Sequence, residues 1–115
     1  MPYNRGDILL LLFPNSDLRT AKRRPVLVVQ ADELGTGLPQ LIVAMISSNM
    51  ARAGHRSRVA IRTSDAGFAA TGLLSDSGVV TDNLATVRTR EIQRRLGHWS
   101  SPAEVDAALR HTLGL

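Results

Sequence analysis

The sequence predicts an α+β domain that is mainly β: a small barrel of short strands, with a short helix and a C-terminal helix packed on it. Three observations carry this. Short apolar runs recur through the first two-thirds of the chain, each closed within a few residues by proline, glycine, asparagine or aspartate. A 3.6-residue apolar period appears only in the last quarter. At 115 residues, with 43% hydrophobic and 21% charged side chains, the chain makes a single domain, 1–115, with enough apolar material for a core. Short strands at such close spacing leave open edges unless the sheet closes on itself, which points to a barrel.

The elements follow in order. Ile8 to Phe13 is a continuous apolar run that Pro14 and the turn-forming Asn15-Ser16-Asp17 end. Val26 to Gln30, rich in β-branched valine, is the second strand. Gly35 to Pro39 is a loop, and Leu41 to Ile46 the third strand. Val59 and Ile61 alternate with Arg58, Ala60 and Arg62, giving a strand with one buried and one basic face. Leu73-Leu74 and Gly78 to Val80 read as further short strands, and Leu84 to Val87 as the last. Thr89 then opens a short helix with Ile92 and Leu96 one turn apart, Arg94 and Arg95 at its negative end and Gly97 as its stop. Ser101-Pro102-Ala103-Glu104 has the form of a capping box. It precedes a stripe of Val105, Ala108, Leu109 and Leu113 that Gly114 closes.

Composition narrows the chemistry. The absence of cysteine removes disulfides, thiolate metal sites and a thiol nucleophile. The run Ile8 to Phe13 is too short to span a bilayer, so the expectation is a soluble cytoplasmic protein that does not engage membranes. The formal charge is +4, and the excess is local: residues 1–63 carry +5 and residues 64–115 carry −1. It gathers at Arg19 to Arg24 and at Arg52 to Arg62, a pattern that suits a polyanion, though solvated loops would show it too. With only Tyr3, Phe13, Phe68 and Trp99 as aromatics, a base-stacking platform is disfavoured, and arginines and backbone groups would do the holding. His55, His98 and His111 are scattered, without metal-ligand spacing among them or a glycine-rich phosphate loop elsewhere, so neither metal nor cofactor is expected.

The most telling stretch is Lys22-Arg23-Arg24-Pro25, which runs directly into Val26-Leu27-Val28-Val29. The proline fixes its own φ and biases Arg24 to extended backbone, so Arg24 is expected at the mouth of a buried strand. A guanidinium held there suits a phosphodiester, to which it can make two parallel hydrogen bonds. Equally, it could cover the strand end or pair with a carboxylate such as Asp7.

The ordered set of short motifs resembles the MazF/PemK family of toxin endoribonucleases. The matching residues are Arg5-Gly6-Asp7, Phe13-Pro14, Arg24-Pro25-Val26-Leu27-Val28 and Val43-Ala44-Met45-Ile46-Ser47-Ser48-Asn49. Leu74, Ser77, Asp82-Asn83-Leu84, Thr86-Val87, Leu96-Gly97 and the terminal helix continue the match. The resemblance implies an SH3-like barrel, a homodimer, metal-free cleavage of single-stranded RNA, a cognate antitoxin protein, and contact with DNA only through an antitoxin complex. It places catalytic roles on Arg24, on the hydroxyl of Ser47, and, following one branch, on Asp82. That branch's arginine two residues before the carboxylate is Val80 here, and its first-loop histidine has no counterpart in residues 14–23.

Ser48 competes with Ser47 for the hydroxyl role, since strand neighbours face opposite ways. Arg19, Lys22 and Arg23 would hold flanking phosphates on a mobile first loop, Arg52 and Arg56 with Arg58 would extend the track, and Asn49 and Asn83 would meet base edges. The alternative is the same SH3-like module binding RNA or a protein without cutting.

Overall fold

The computed structural model describes residues 3–115. Six strands form one antiparallel sheet in the order β4-β5-β3-β2-β1-β6, and one α-helix packs on it. The strands are β1 Asp7–Pro14, β2 Ala21–Val28, β3 Gln40–Ser47, β4 Arg58–Ile61, β5 Ser77–Arg88 and β6 Arg94–His98, and the helix α1 is Pro102–Leu113. β4 and β6 stand at opposite ends of the ladder, which is not closed into a barrel. The sheet instead buries both of its faces.

One core gathers Ile8, Leu27, Ala44, Ile46 and Val79 with Val59 and Ile61 of β4, under Trp99 and the helix residues Val105 and Ala108. The other gathers Leu9, Leu11 and Phe13 with Val26, Val28, Leu41, Val43 and Val87. This two-sided burial explains why β1 reads as a continuous apolar run in place of an alternating one. Only beyond the cover of the helix does it alternate, with Leu11 and Phe13 buried and Leu12 and Pro14 exposed.

Several elements differ from the sequence reading, each for a local reason. β2 begins at Ala21, so Pro25 lies inside the strand opposite Leu10 and Arg24 opposite Leu11. Proline is tolerated because β3 pairs only with Val26, Leu27 and Val28, leaving the other side of Ala21 to Pro25 free of ladder partners. The first loop is a hydrogen-bonded turn. Asn15 N–H donates to the Thr20 carbonyl at 2.9 Å, and Asp17 accepts from the N–H groups of Arg19 and Thr20 at 2.9 and 3.0 Å. Leu73-Leu74 is no strand, and Leu74 is 98% exposed. Gly78 to Val80 and Leu84 to Val87 are two parts of the single long strand β5.

The short helix is likewise absent. Thr89–Glu91 is one 3₁₀ turn, after which Arg94–His98 runs as β6 along the outer edge of β1. Gly97 is not a helix stop: a Cβ there would lie 2.1 Å from the Ala70 carbonyl oxygen, in the 3₁₀ turn Ala69–Thr71 that lies against the strand. α1 is where the periodicity predicted, with proline in its first turn and Gly114 at φ 71° donating its N–H to the Arg110 carbonyl. The capping box does not form, since the Ser101 side chain makes no capping hydrogen bond. In the apolar stripe Val105 and Ala108 are buried and Leu109 is partly so, while Leu113 is half exposed.

Candidate nucleic-acid interface

Arg24 belongs to β2 and Ser47 to β3, strands that pair through Val26, Leu27 and Val28. The β2–β3 ladder ends at the pair Val26 and Met45. Arg24 lies two residues before Val26 on β2 and Ser47 two residues after Met45 on β3, both past the paired segment. Side chains alternate across a strand, so Arg24, Val26, Met45 and Ser47 share one face. Ser48 lies beyond the end of β3 and is exposed. Ser47, unlike Ser48, therefore lies within β3, on the face of Met45.

Arg24 is half-buried within β2. Its Nη2 donates to the Oδ1 of Asn15 at 3.3 Å, and its Nε is buried without a hydrogen-bond partner. Such an orphaned donor on a charged group is costly unless something negative completes it. Among the described residues no carboxylate pairs with Arg24. The rival partner, Asp7, belongs to a different cluster: its Oδ1 is 3.2 Å from Arg95 Nη2 and 3.1 Å from His98 Nδ1. Burial alone would push the Asp7 carboxyl up, but the Asn4 N–H together with His98 and Arg95 outweighs it, and the pKa lies below the ordinary aspartate value.

The Ser47 Oγ accepts the N–H of Asn49 at 3.1 Å, the local partnership typical of a serine at a strand end. Its hydroxyl proton stays available for a second bond. Asn49 in turn accepts from the Ala51 N–H at 3.0 Å, which starts the run of turns leading to β4.

β5 contributes through an irregularity. Its pairing with β3 jumps from Ala44 and Leu84 to Met45 and Val80, so Thr81, Asp82 and Asn83 bulge out of the ladder. Asp82, about half exposed, forms an ion pair through Oδ1 with Arg58 of β4. Asn83 turns its amide to Met45, with Nδ2 3.5 Å from Sδ, and so reaches the face that carries Arg24 and Ser47.

The remaining basic candidates divide. Arg19, Lys22 and Arg23 are exposed on the first turn and the start of β2, beside Arg24. Arg52 and Arg56 are exposed on the loop before β4, where Arg56 shares cavity walls with Ala107 of α1 and so lies toward the helix-bearing side. Arg58 is held by Asp82 and Ser57. The sequence reading missed Asn15, which touches Arg24. Its only mark was a place in a turn, and contact with a residue nine positions on follows from hairpin register alone.

The cavity beneath the loop after β2, about 590 Å³, is walled by residues such as Val28, Leu38 and Leu41, far along the strands from Arg24. Among the described residues no three histidine, aspartate or glutamate side chains converge as metal ligands.

Comparison with known proteins agrees with this architecture. The chain is 35% identical over 107 residues to Endoribonuclease MazF6 of Mycobacterium tuberculosis and to Endoribonuclease MazF2 of Mycobacterium bovis, covering 90% of this chain and of each relative. Its fold is similar to that of the Mycobacterium tuberculosis toxin MazF-mt6, with a TM-score of 0.72 at 22% identity over 95% of this chain and 97% of that one. A mycobacterial endoribonuclease in complex with its cognate antitoxin gives a TM-score of 0.74 at 20% identity, over 98% and 96%. The family described as PemK-like, MazF-like toxin of type II toxin-antitoxin system matches residues 4–113, and the chain belongs to that family.

Proposed function

We propose that the chain is the endoribonuclease toxin of a toxin–antitoxin pair, and that it cuts single-stranded RNA at the Arg24–Ser47 face without a metal. The single observation that carries this is the state of Arg24: half-buried, with one donor orphaned and no carboxylate paired to it among the described residues. A phosphate oxygen would satisfy the orphan and neutralise the charge together.

In this reading the ribose 2′-hydroxyl attacks the adjacent phosphorus. The bond to the 5′-oxygen breaks, giving a 2′,3′-cyclic phosphate and a 5′-hydroxyl. The protein need not supply a nucleophile. Arg24 stabilises the charge that gathers on the phosphoryl oxygens, worth on the order of 3 kcal/mol for one well-aimed donor. The Ser47 hydroxyl donates to a neighbouring oxygen and sets the phosphate's orientation. Asn15 keeps the guanidinium in its plane. Asp82, engaged by Arg58, has a positional role in place of an acid–base one.

Arg19, Lys22 and Arg23 hold flanking phosphates without reading sequence, and Asn49 and Asn83 meet bases. We read the coiled sheet as an open form of the SH3-like barrel, and the working unit as a homodimer in the cytoplasm with an antitoxin as its protein partner.

The test is incubation of purified protein with a mixed RNA substrate in EDTA. Cleavage should persist, leave cyclic phosphate ends, and fall by about 100-fold or more in Arg24→Ala. Undiminished cleavage by that variant, or loss of cleavage on chelation, defeats the reading. RNA that is bound and never cut would favour a binding module.

A further inference from the structure

The sequence resemblance assigns Asp82 to chemistry, yet the structure builds Asp82 and its neighbours into something else. Three residues leave the β3–β5 ladder together, and each is fastened differently. Thr81 is fully buried. Its N–H and Oγ1 both donate to the Ser57 carbonyl, at 3.1 and 2.7 Å, and its Oγ1 lies 2.7 Å from the Thr112 hydroxyl of α1. Asp82 is held by Arg58, whose Nη1 also donates to the Ser57 Oγ at 3.0 Å. Asn83 is the exception. Among the described residues its side chain makes one hydrogen bond, a long one to a thioether, which is a weak acceptor.

An amide on a fastened bulge, on the sheet face of Met45 and bound there only to sulfur, is poised to exchange partners. Its two ends offer a donor beside an acceptor, the arrangement that meets the hydrogen-bonding edge of an unstacked base. The Met45 thioether beneath it gives such a base a soft, polarisable surface to lie against.

We propose that the bulge Thr81–Asn83 selects one base beside the scissile phosphate, with Asn83 as the reading side chain and Arg58 and Asp82 as positioning residues. This rests on the RNA-cutting reading above and adds where its sequence preference originates. The bulge is pinned through Ser57, Arg58 and Thr112, none of which touches Asn83, so a change at Arg58 alters the aim of Asn83 indirectly.

The experiment uses a pool of RNAs randomised around a central site, read by sequencing both the cut ends and the molecules retained on the protein. In Asn83→Ala the preference at one position should fall by about tenfold, the scale of one lost bidentate base contact. Asn83→Asp, of equal size but with acceptors only, should shift the preference toward bases offering an amino group. Arg58→Gln should blur the same position and no other, while Arg58→Lys, which keeps the ion pair, should restore it. Melting curves confirm folding, and Asn83→Asp decides the matter if Asn83→Ala does not fold. Preferences unchanged from the parent chain in both reads overturn the proposal. A parent chain that retains selected RNA and never cuts defeats the nuclease reading, and the retained pool then decides this one. Cleavage with no preference at any position defeats this proposal and leaves the nuclease reading standing, while neither cutting nor retention of any RNA defeats both.

Discussion

Asp7 and Arg24 are both charged groups drawn partly out of water, and they are resolved in opposite ways. Asp7 is satisfied within the chain, by the Asn4 N–H at 2.8 Å and by His98 and Arg95 of β6. Its carboxyl sits below the ordinary aspartate value near 3.9. A depressed folded-state pKa means stability that is fully present above the unfolded value and lost as pH falls through the folded one. Urea titrations between pH 7 and pH 2.5 should therefore show an acid decline in which Asp7 takes part. Asp7→Asn should lose about 2 kcal/mol at neutral pH and show a shallower acid decline; an unchanged slope would remove Asp7 from the account. Arg24, by contrast, is left incomplete. The sequence made Arg24 conspicuous through the proline that follows it. It did not reveal Asn15 as its contact or the pairing that gives Asp7 to β6, because both depend on register between strands.

At the scale of elements, what was legible followed periodicity and what was not followed tertiary cover. α1 was plain because its apolar stripe needs a helix to lie on one side. β6 was hidden because Arg94-Arg95-Leu96-Gly97-His98 has the charges of a helix end and only one large apolar side chain. Its strand conformation comes from the free edge of β1, which accepts it, and from Gly97, which admits the 3₁₀ turn Ala69–Thr71. The bulge in β5 was equally invisible, since Thr-Asp-Asn reads as a turn between two strands until β3 is seen to run past it. Gly97→Ala tests the role of close approach. The added methyl meets backbone, which cannot swing aside, so the variant should lose roughly 3 kcal/mol. Its midpoint of thermal unfolding should fall by on the order of 10 °C. A helix-stop role would tolerate alanine far better, and a change of a degree or two would contradict the packing account.

For the molecule as a whole, the clustering of charge survives folding but divides between two sides. The Arg19 to Arg24 group stays together on the first turn and the start of β2, while Arg56 lies toward α1 and Arg58 is neutralised by Asp82. The net charge therefore overstates the surface available to RNA. Affinity for a non-cleavable RNA, with the 2′-hydroxyl removed at the cut site, should fall linearly on a logarithmic salt axis. Removal of Lys22 or Arg23 should reduce that slope by about 0.7 each, the value for one phosphate contact on a single strand. Arg56→Ala should leave the slope where it was; an equal reduction there would mean that the RNA path wraps around to the helix side.

The proline inside β2 has one more effect. By ending the ladder at Val26 it leaves the backbone of Ala21 to Arg24 unpaired along one margin, the kind of template on which proteins polymerise into fibrils. The three consecutive cations on that margin oppose the approach of an identical strand. The groups that would draw in RNA thus also act as gatekeepers, keeping the chain dispersed when no nucleic acid is bound.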